Sequence, residues 1–344
     1  MLSALLPTPE GRPVMERVPT RTVCMLAYAG AQSLDISGPM EVFALASRQV
    51  QEDRPGSGPI YAVKLLAMDA QPIVMSSGIR LLPDLVYADM PGDTDTLLVC
   101  GGMGNSLDIV RADRMLVAWL GSVASRVRRV ASVCSGALLL AEAGVLDGRE
   151  ATTHWSDASE LRERYPKVRV QADAIYTRDG PVWASAGITA GMDMALAMVA
   201  EDHGPSLALK VAKRMVLASR RSGGHSQISR QLQSLDLPDA FQKLEQWMRE
   251  NLHLRLGVDE LAQRSHMSPR QFNRRFVAAF RLTPRKYVEQ LRVDAARLLL
   301  EATRKDVGWI ATECGYGSAD ALRRAFVRQM GQTPSAYRIG FGSQ

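Results

Sequence analysis

Apolar residues along the first two hundred positions fall into short continuous runs that alternate with longer runs of helical spacing. TVCMLAY (22–28), YAVKLLAMD (61–69) and DTLLVCGGMG (95–104) have the unbroken apolar character of strands covered on both faces. SLDISGPMEVFALASRQV passes through Gly38-Pro39 into a helix, and DRMLVAWLGSVASR (113–126) is a second helix. RVASVCSGALLLAEAGVLDG (129–148) reads as a strand running straight into a helix with Cys134 at the junction, and SSGIRLLPDLVYADM reads as a short hairpin or turn. Alternation of this kind predicts a doubly wound α/β parallel sheet, with its site at the carboxyl ends of the strands.

Beyond residue 238 the strand pattern stops and every segment is helical. DAFQKLEQWMREN (239–251) places Phe241, Leu244, Trp247 and Met248 on one face. LGVDELAQRSHMSPRQFNRRFVAAFRLT (256–283) reads as two short helices around a turn at His266-Met267. Ser268 caps the second helix and Pro269 opens it. Phe272, Phe276, Ala279 and Phe280 recur at buried spacing, which turns Arg270, Gln271 and Arg274 outward, with Asn273 and Arg275 on the flanks. Arg suits guanine and Asn or Gln suits adenine, so this face has the residue types for base readout in a major groove. A solvated basic helix face is the plain alternative. A long amphipathic helix (283–303) follows, and then a second helix-turn-helix, DVGWIATECGYGSADALRRAFVRQMG (306–331), presents Ala319, Asp320, Arg323 and Arg324. Two readers on one helix could enter successive major grooves about 34 Å apart. Duplication of the unit is what outweighs the solvated-face alternative.

Charge sharpens this division. Residues 1–203 carry 18 Lys+Arg against 24 Asp+Glu, and residues 204–344 carry 24 against 12, so the two parts are −6 and +12 within a chain of +6. The basic part suits a polyanion and the acidic part does not. Cys24, Cys100, Cys134 and Cys314 have no CxxC spacing, so neither a metal site nor a disulfide framework is indicated, and no cofactor is implied. Apolar runs are too short for a membrane span, and the first residues lack the basic start of a signal peptide. A cytoplasmic location is expected. The expected layout is a disordered tail (1–19, with Met15 as an alternative start), an α/β domain (20–203), a connecting helix and linker (204–237) and a helical domain (238–340).

Candidate chemistry gathers at strand ends. Asp35 follows the first strand, Gly101 and Gly102 follow a later one and offer N–H donors to an oxyanion, Cys134 starts a helix whose dipole favours thiolate, and His154 in ATTHW supplies a base. Each alone reads as ordinary structure: a buried cysteine, a turn, a hydrogen-bonding histidine. Their joint placement lifts the site above these readings and resembles a nucleophile elbow with accessories.

LDISGP, LLVCGGMG, SVCSGALLLAEAGVLDGREATTHW and SAGITAGMDMAL together resemble the DJ-1/PfpI superfamily in its glutamine-amidotransferase-like form, over nearly all of residues 21–203. The resemblance implies a flavodoxin-like fold, an acidic residue at Asp35 beside the elbow Cys134, the histidine at His154, and a pocket wall at Gly187 and Ile188. That superfamily holds hydratases and glyoxalase-like enzymes as well as sensors fused to DNA-binding domains. Residues 238–340, above all IATECGYGSADALRRAFVRQMGQTPSAYR, resemble the AraC/XylS DNA-binding domain. That resemblance carries base-facing roles onto Arg270, Gln271, Asn273, Arg274, Ala319, Asp320, Arg323 and Arg324. Ala319 and Asp320 depart from the amides usual there, and an Asp accepts from cytosine N4 but repels phosphate. The expectation is a transcriptional regulator, most naturally an activator, without catalysis. Its partners would be promoter DNA, a second copy of itself, RNA polymerase and a small effector such as an amino acid or quaternary amine. The alternative is a regulator whose Cys134 keeps hydratase- or amidase-like activity or senses oxidants.

Overall fold

The computed structural model describes residues 19–102, 104–217, 221, 223, 227, 239–280, 282–330 and 332–341. The expected tail, Met15 and His225 of the linker lie outside them. Packing divides the chain into two compact units, Met1–Val145 with Met194–Ala218, and Leu146–Asp193 with Ser219–Gln344.

In the first unit, β1 (Arg21–Leu26) leads into α1 (Ser33–Asp53) and then β2 (Tyr61–Ala67). Helix α1 begins at Ser33 rather than after Pro39, so Asp35 lies in its first turn. Pro39 is tolerated because its missing N–H removes a single bond, the one to the Asp35 carbonyl. β3 (Ile73–Val74) and β4 (Arg80–Leu81) form a hairpin whose first strand lies before the expected 76–90 segment, and β5 (Leu85–Val86), inside that segment, adds to β2 in parallel. β6 (Thr94–Val99) is followed by α2 (Asn105–Ala112) and α3 (Arg114–Val123). Asp113 caps α3 by accepting from the Met115 and Leu116 amides. β7 (Arg129–Val133) turns directly into α4 (Gly136–Glu142).

β8 (Glu150–Ala151), α5 (Ala158–Arg164), β9 (Arg169–Val170), the antiparallel pair β10 (Tyr176–Asp179) and β11 (Val182–Ser185), α6 (Thr189–His203) and α7 (Pro205–Arg214) complete the α/β region. The main sheet has the order β10-β11-β7-β6-β1-β2-β5. β1 pairs in parallel with both β2 and β6, and β6 with β7. The chain therefore fills one side of β1 with β2 and then the other with β6, which makes the carboxyl ends of β1 and β6 the topological switch point. Val23 to Leu26 and Leu97 to Val99 are fully buried, as strands covered on both faces require.

The opposite ends of these strands are tied by charge. Asp95 receives Arg21 at 2.9 Å and Arg128 at 2.7 Å, while Asp202 receives Arg128 and Arg129. Burial works to raise the Asp95 pKa, but hydrogen bonds from Arg128, Thr96 and Arg21 overcome it and hold the carboxyl at about 2.

The helical part of the second unit consists of α8 (Asp239–Glu250), α9 (Val258–Arg264), α10 (Pro269–Phe280), α11 (Pro284–Ala302), α12 (Val307–Glu313), α13 (Ala319–Met330) and α14 (Pro334–Phe341). Two cores form, and α11 serves both. Its first half gives Tyr287, Val288 and Leu291 to a cluster with Phe241, Phe272 and Phe276, and its second half gives Val293, Ala296 and Leu300 to one with Ile310, Leu322 and Phe326. Each core also repeats a part-buried polar triad. The Tyr287 hydroxyl donates to Glu245, which Arg249 also reaches, and the Tyr337 hydroxyl donates to Glu301, which Arg297 reaches. The tyrosines stand at the same place in TPRKY and TPSAY, behind the capping residues Thr283 and Thr333.

Candidate effector pocket and nucleic-acid interface

At the switch point the end of β7 bends into α4 so sharply that Cys134 takes φ 57°. A left-handed backbone on a residue with a side chain costs about 1–3 kcal/mol and recurs at functional sites. Cys134 is 9% exposed, and Asp35 is fully buried. Gly101, at the end of β6, is a glycine for want of room: a Cβ there would lie 2.7 Å from Cys134 Cβ. Gly102 is an occupied donor. Its N–H goes to Ser135 Oγ at 3.0 Å, whose hydroxyl donates back to the Gly102 carbonyl at 2.6 Å. The bond to Ser135 uses the amide that an oxyanion would need, so this corner is stiff rather than open.

Two members of the site lie hidden in the strand pattern. Tyr28, just past β1, is 1% exposed and packs against Gly102, and its hydroxyl has no hydrogen-bond partner among the described residues. Burial raises its pKa, and the charges of Cys100, Cys134 and Asp35 add to the effect. The Cys100 thiol is likewise pushed well up by burial and then by Asp35. These mutual influences place Tyr28, Asp35, Cys100 and Cys134 in one neighbourhood. Cys100 is thus both core and a neighbour of the elbow, whereas Cys24 and Cys314 are buried elsewhere. TVCMLAY marks Tyr28 only as the last residue of an apolar run, and Ser135 follows the cysteine as an unremarkable small residue, so neither carried a signal of its own.

His154, in the second unit, is half-buried and follows β8. Its Nδ1 sits 2.7 Å from Ser156 Oγ, which in turn donates to Asp157, so the ring is oriented through that nitrogen. Gly187 (φ 90°) and Ile188 (φ 50°) form the turn before α6. Left-handed geometry at a β-branched residue is strained in the same sense as at Cys134.

On the helical side Arg270, Gln271, Asn273, Arg274 and Arg275 are all exposed on α10, while Phe272 and Phe276 are fully buried. Ser268 caps the helix by accepting from the Gln271 amide. His266 takes φ 52° in the turn before it. On α13 Ala319, Asp320, Arg323 and Arg324 are exposed, and Ser318 caps the helix. The two readers differ electrostatically. Asp320 holds Arg323 at 3.0 Å and Arg324 at 2.8 Å, whereas Arg270, Arg274 and Arg275 have no ion-pair partner among the described residues. Among the described residues no cluster suits a metal ion, and no helix is long and apolar enough to cross a membrane.

Comparison with known proteins agrees with both halves. The DJ-1/PfpI family profile matches residues 21–201, and a helix-turn-helix domain profile matches residues 261–339. The chain is 30% identical over 286 residues to the HTH-type transcriptional regulator CdhR of Pseudomonas aeruginosa, covering 81% of this chain and 82% of that one. It is 34% identical over 176 residues to an isonitrile hydratase of Pseudomonas putida, covering 51% of this chain and 69% of the enzyme. Among solved structures it resembles a ThiJ/PfpI family protein from Pseudomonas syringae at 26% identity and TM-score 0.51, over 62% of this chain and 84% of that one.

Proposed function

The chain belongs to the DJ-1/PfpI family and, with an AraC-type helix-turn-helix domain behind that fold, is a DNA-binding transcriptional regulator; we propose that its α/β domain is the sensor, binding a small effector at the elbow. The observation that carries this reading is the strained Cys134 and the buried Asp35, both of which act on Tyr28 and Cys100, at the switch point, where ligands of open α/β sheets bind. A buried acidic group whose charge acts on Tyr28 favours a cationic nitrogen, which suits an amino acid or a quaternary amine. His154, Gly187 and Ile188 are the other residues assigned to effector recognition. The domain acts as a sensor rather than an enzyme, and the chain works as a homodimer in the cytoplasm, in contact with RNA polymerase at its promoter.

Base readout is assigned to Arg270, Gln271, Asn273 and Arg274 of α10 and to Ala319, Asp320, Arg323 and Arg324 of α13. Thermal-shift titration of the full chain with a panel of amino acids and quaternary amines tests the sensor reading, because a ligand bound to the native state raises its melting temperature by mass action. At least one compound is expected to raise the melting temperature, and Asp35→Asn is expected to abolish that rise. A shift that survives Asp35→Asn unchanged would place the effector elsewhere.

Elbow geometry at Cys134 also supports a second reading, in which the thiol retains hydratase- or amidase-like chemistry or responds to oxidants. Cys134→Ala separates the two in a promoter reporter. An unchanged response to the active compound removes catalysis and oxidation together, and a lost response that Cys134→Ser restores points to pocket shape.

A further inference from the structure

Composition marks the stretch after α7, SRRSGGHSQ at 219–227, as a plain linker. Three of its residues are instead bound tightly to the β8–α6 region of the same unit. Arg221 donates from its backbone to Asp193 Oδ1 at 3.0 Å, from Nε to Asp193 Oδ2 at 2.8 Å, and from its terminal nitrogen to Thr189 at 2.8 Å. Asp193 is 4% exposed, so this is a partly buried, forked ion pair. The Gly223 carbonyl accepts from the Ile175 amide at 3.0 Å. A Cβ on Gly223 would stand 2.3 Å from the Tyr176 carbonyl oxygen, closer than any side chain permits. Gln227 gives its backbone N–H to Asp173 at 3.1 Å, and its side-chain nitrogen faces the carbonyls of Thr153 at 2.8 Å and Ala172 at 3.0 Å. Carbonyl oxygens fix which end of that amide points inward, since only the NH2 end can donate to them.

The positions gripped are telling. Thr153 immediately precedes His154, and Thr189 immediately follows Ile188, two of the three second-unit residues assigned to effector recognition. On the other side only eleven residues separate Gln227 from Asp239, where the helical domain begins. Chain geometry limits that tether to about 40 Å with Gln227 held, and to about twice that if the chain were free from the end of α7.

We infer that Arg221, Gly223 and Gln227 form a strap that restrains the DNA-binding domain, and that the effector site acts on DNA binding through it. The second half of this statement rests on the sensor reading above; the first does not. With the strap docked, the helical domain reaches fewer arrangements, and operator affinity falls in proportion to the fraction that can bind. An effector that displaces Thr153 or Thr189 loosens the strap and raises that fraction.

Three substitutions release it while leaving both helical cores intact: Gln227→Glu, which has the same size but turns a carboxylate toward carbonyls; Gly223→Ala, which has no room; and Arg221→Ala. Arg221→Lys, which keeps a cation on Asp193, serves as the conservative control. Fluorescence anisotropy of each full chain, on a duplex selected in vitro by the wild-type protein, reads the effect. At least two of the three release variants should bind fivefold or more tightly than wild type, with the control within twofold. Loss of fold does not tighten binding, so a gain cannot come from damage. Unchanged or weaker binding by two or more of the release variants overturns the strap. If they bind tightly while no compound shifts the melting temperature of the wild type, the strap stands and the sensor reading fails.

Discussion

Arg274 and Arg324 occupy equivalent exposed positions on α10 and α13, and in the proposed readout they would enter DNA from different starting states. Arg324 is already paired with Asp320, so a base contact replaces an existing bond, whereas Arg274 has only water to give up. Arg274→Ala should therefore cost about 1–3 kcal/mol on the cognate duplex and relax preference at one base position. Arg324→Ala should cost less, and Asp320→Asn should tighten binding at positions other than cytosine. Anisotropy on duplexes varied base by base reads all three, and intact affinity for both Arg274→Ala and Arg324→Ala would sink the groove assignment. At the far end of the sheet Asp95 gives a pH prediction. Its folded pKa lies at about 2, below the unfolded value of 3.8, so its stabilisation is complete above that unfolded value and is lost as pH falls toward 2. Discounted for solvent screening, this is roughly 1–2 kcal/mol. Asp95→Asn should flatten the fall in urea stability between pH 4 and pH 2 and lower stability at pH 7; a variant with the wild-type slope would refute the assignment. Residue-level reading from sequence placed Cys134 at a strand-to-helix junction and Asp35 just after the first strand, and the fold has both there. It missed Tyr28 because a tyrosine ending an apolar run has the same pattern as core, and it could not foresee Ser135 occupying the Gly102 amide, which depends on backbone geometry.

Among the elements, α11 bears the most. Because its two halves close separate cores, the helical domain is two small bodies sharing one rod, and damage to either should be local in the first instance. Phe276→Ala, which opens the cluster around Phe280 and Tyr287 at ring separations of 4.1 and 5.5 Å, should cost about 3–5 kcal/mol. Ser268→Ala, which removes only the α10 cap, should cost about 1 kcal/mol. Hydrogen exchange of the full chain would show both losses concentrated in α8 to α10, with α12 to α14 less affected. Uniform loss across all seven helices would mean that the two cores unfold as one. Helical elements were readable in advance because buried spacing, an oxygen cap and a proline at the first turn agree at Ser268-Pro269 and Thr283-Pro284. The start of α1 was not, since Gly38-Pro39 looks like a boundary until the helix is seen to begin at Ser33 and absorb one missing bond. α2 was also missed, its eight residues being too few to show a period against the glycine turn before it.

For the whole molecule the separation of charge sets how binding responds to its surroundings. The +12 carried by residues 204–344 is attracted to DNA phosphates and the −6 of residues 1–203 is repelled by them. An acidic domain on a short tether repels the same phosphates that the basic domain seeks, so every arrangement that keeps the two apart on the duplex is favoured at low salt. Two consequences oppose one another. Counterion release makes affinity fall steeply with salt, with a log–log slope of about −0.9 for each phosphate neutralised. Screening of the acidic domain works the other way and weakens that slope. Releasing the strap lengthens the tether and removes much of the second effect. The Gln227→Glu chain should thus show a steeper salt dependence than wild type and its largest gain in affinity at low salt, while Arg274→Ala, which removes a base contact, should leave the slope nearly unchanged. Affinities measured between 50 and 300 mM potassium chloride on a single duplex decide this. Parallel lines for wild type and Gln227→Glu would mean that the tether does not govern how closely the acidic domain approaches the DNA.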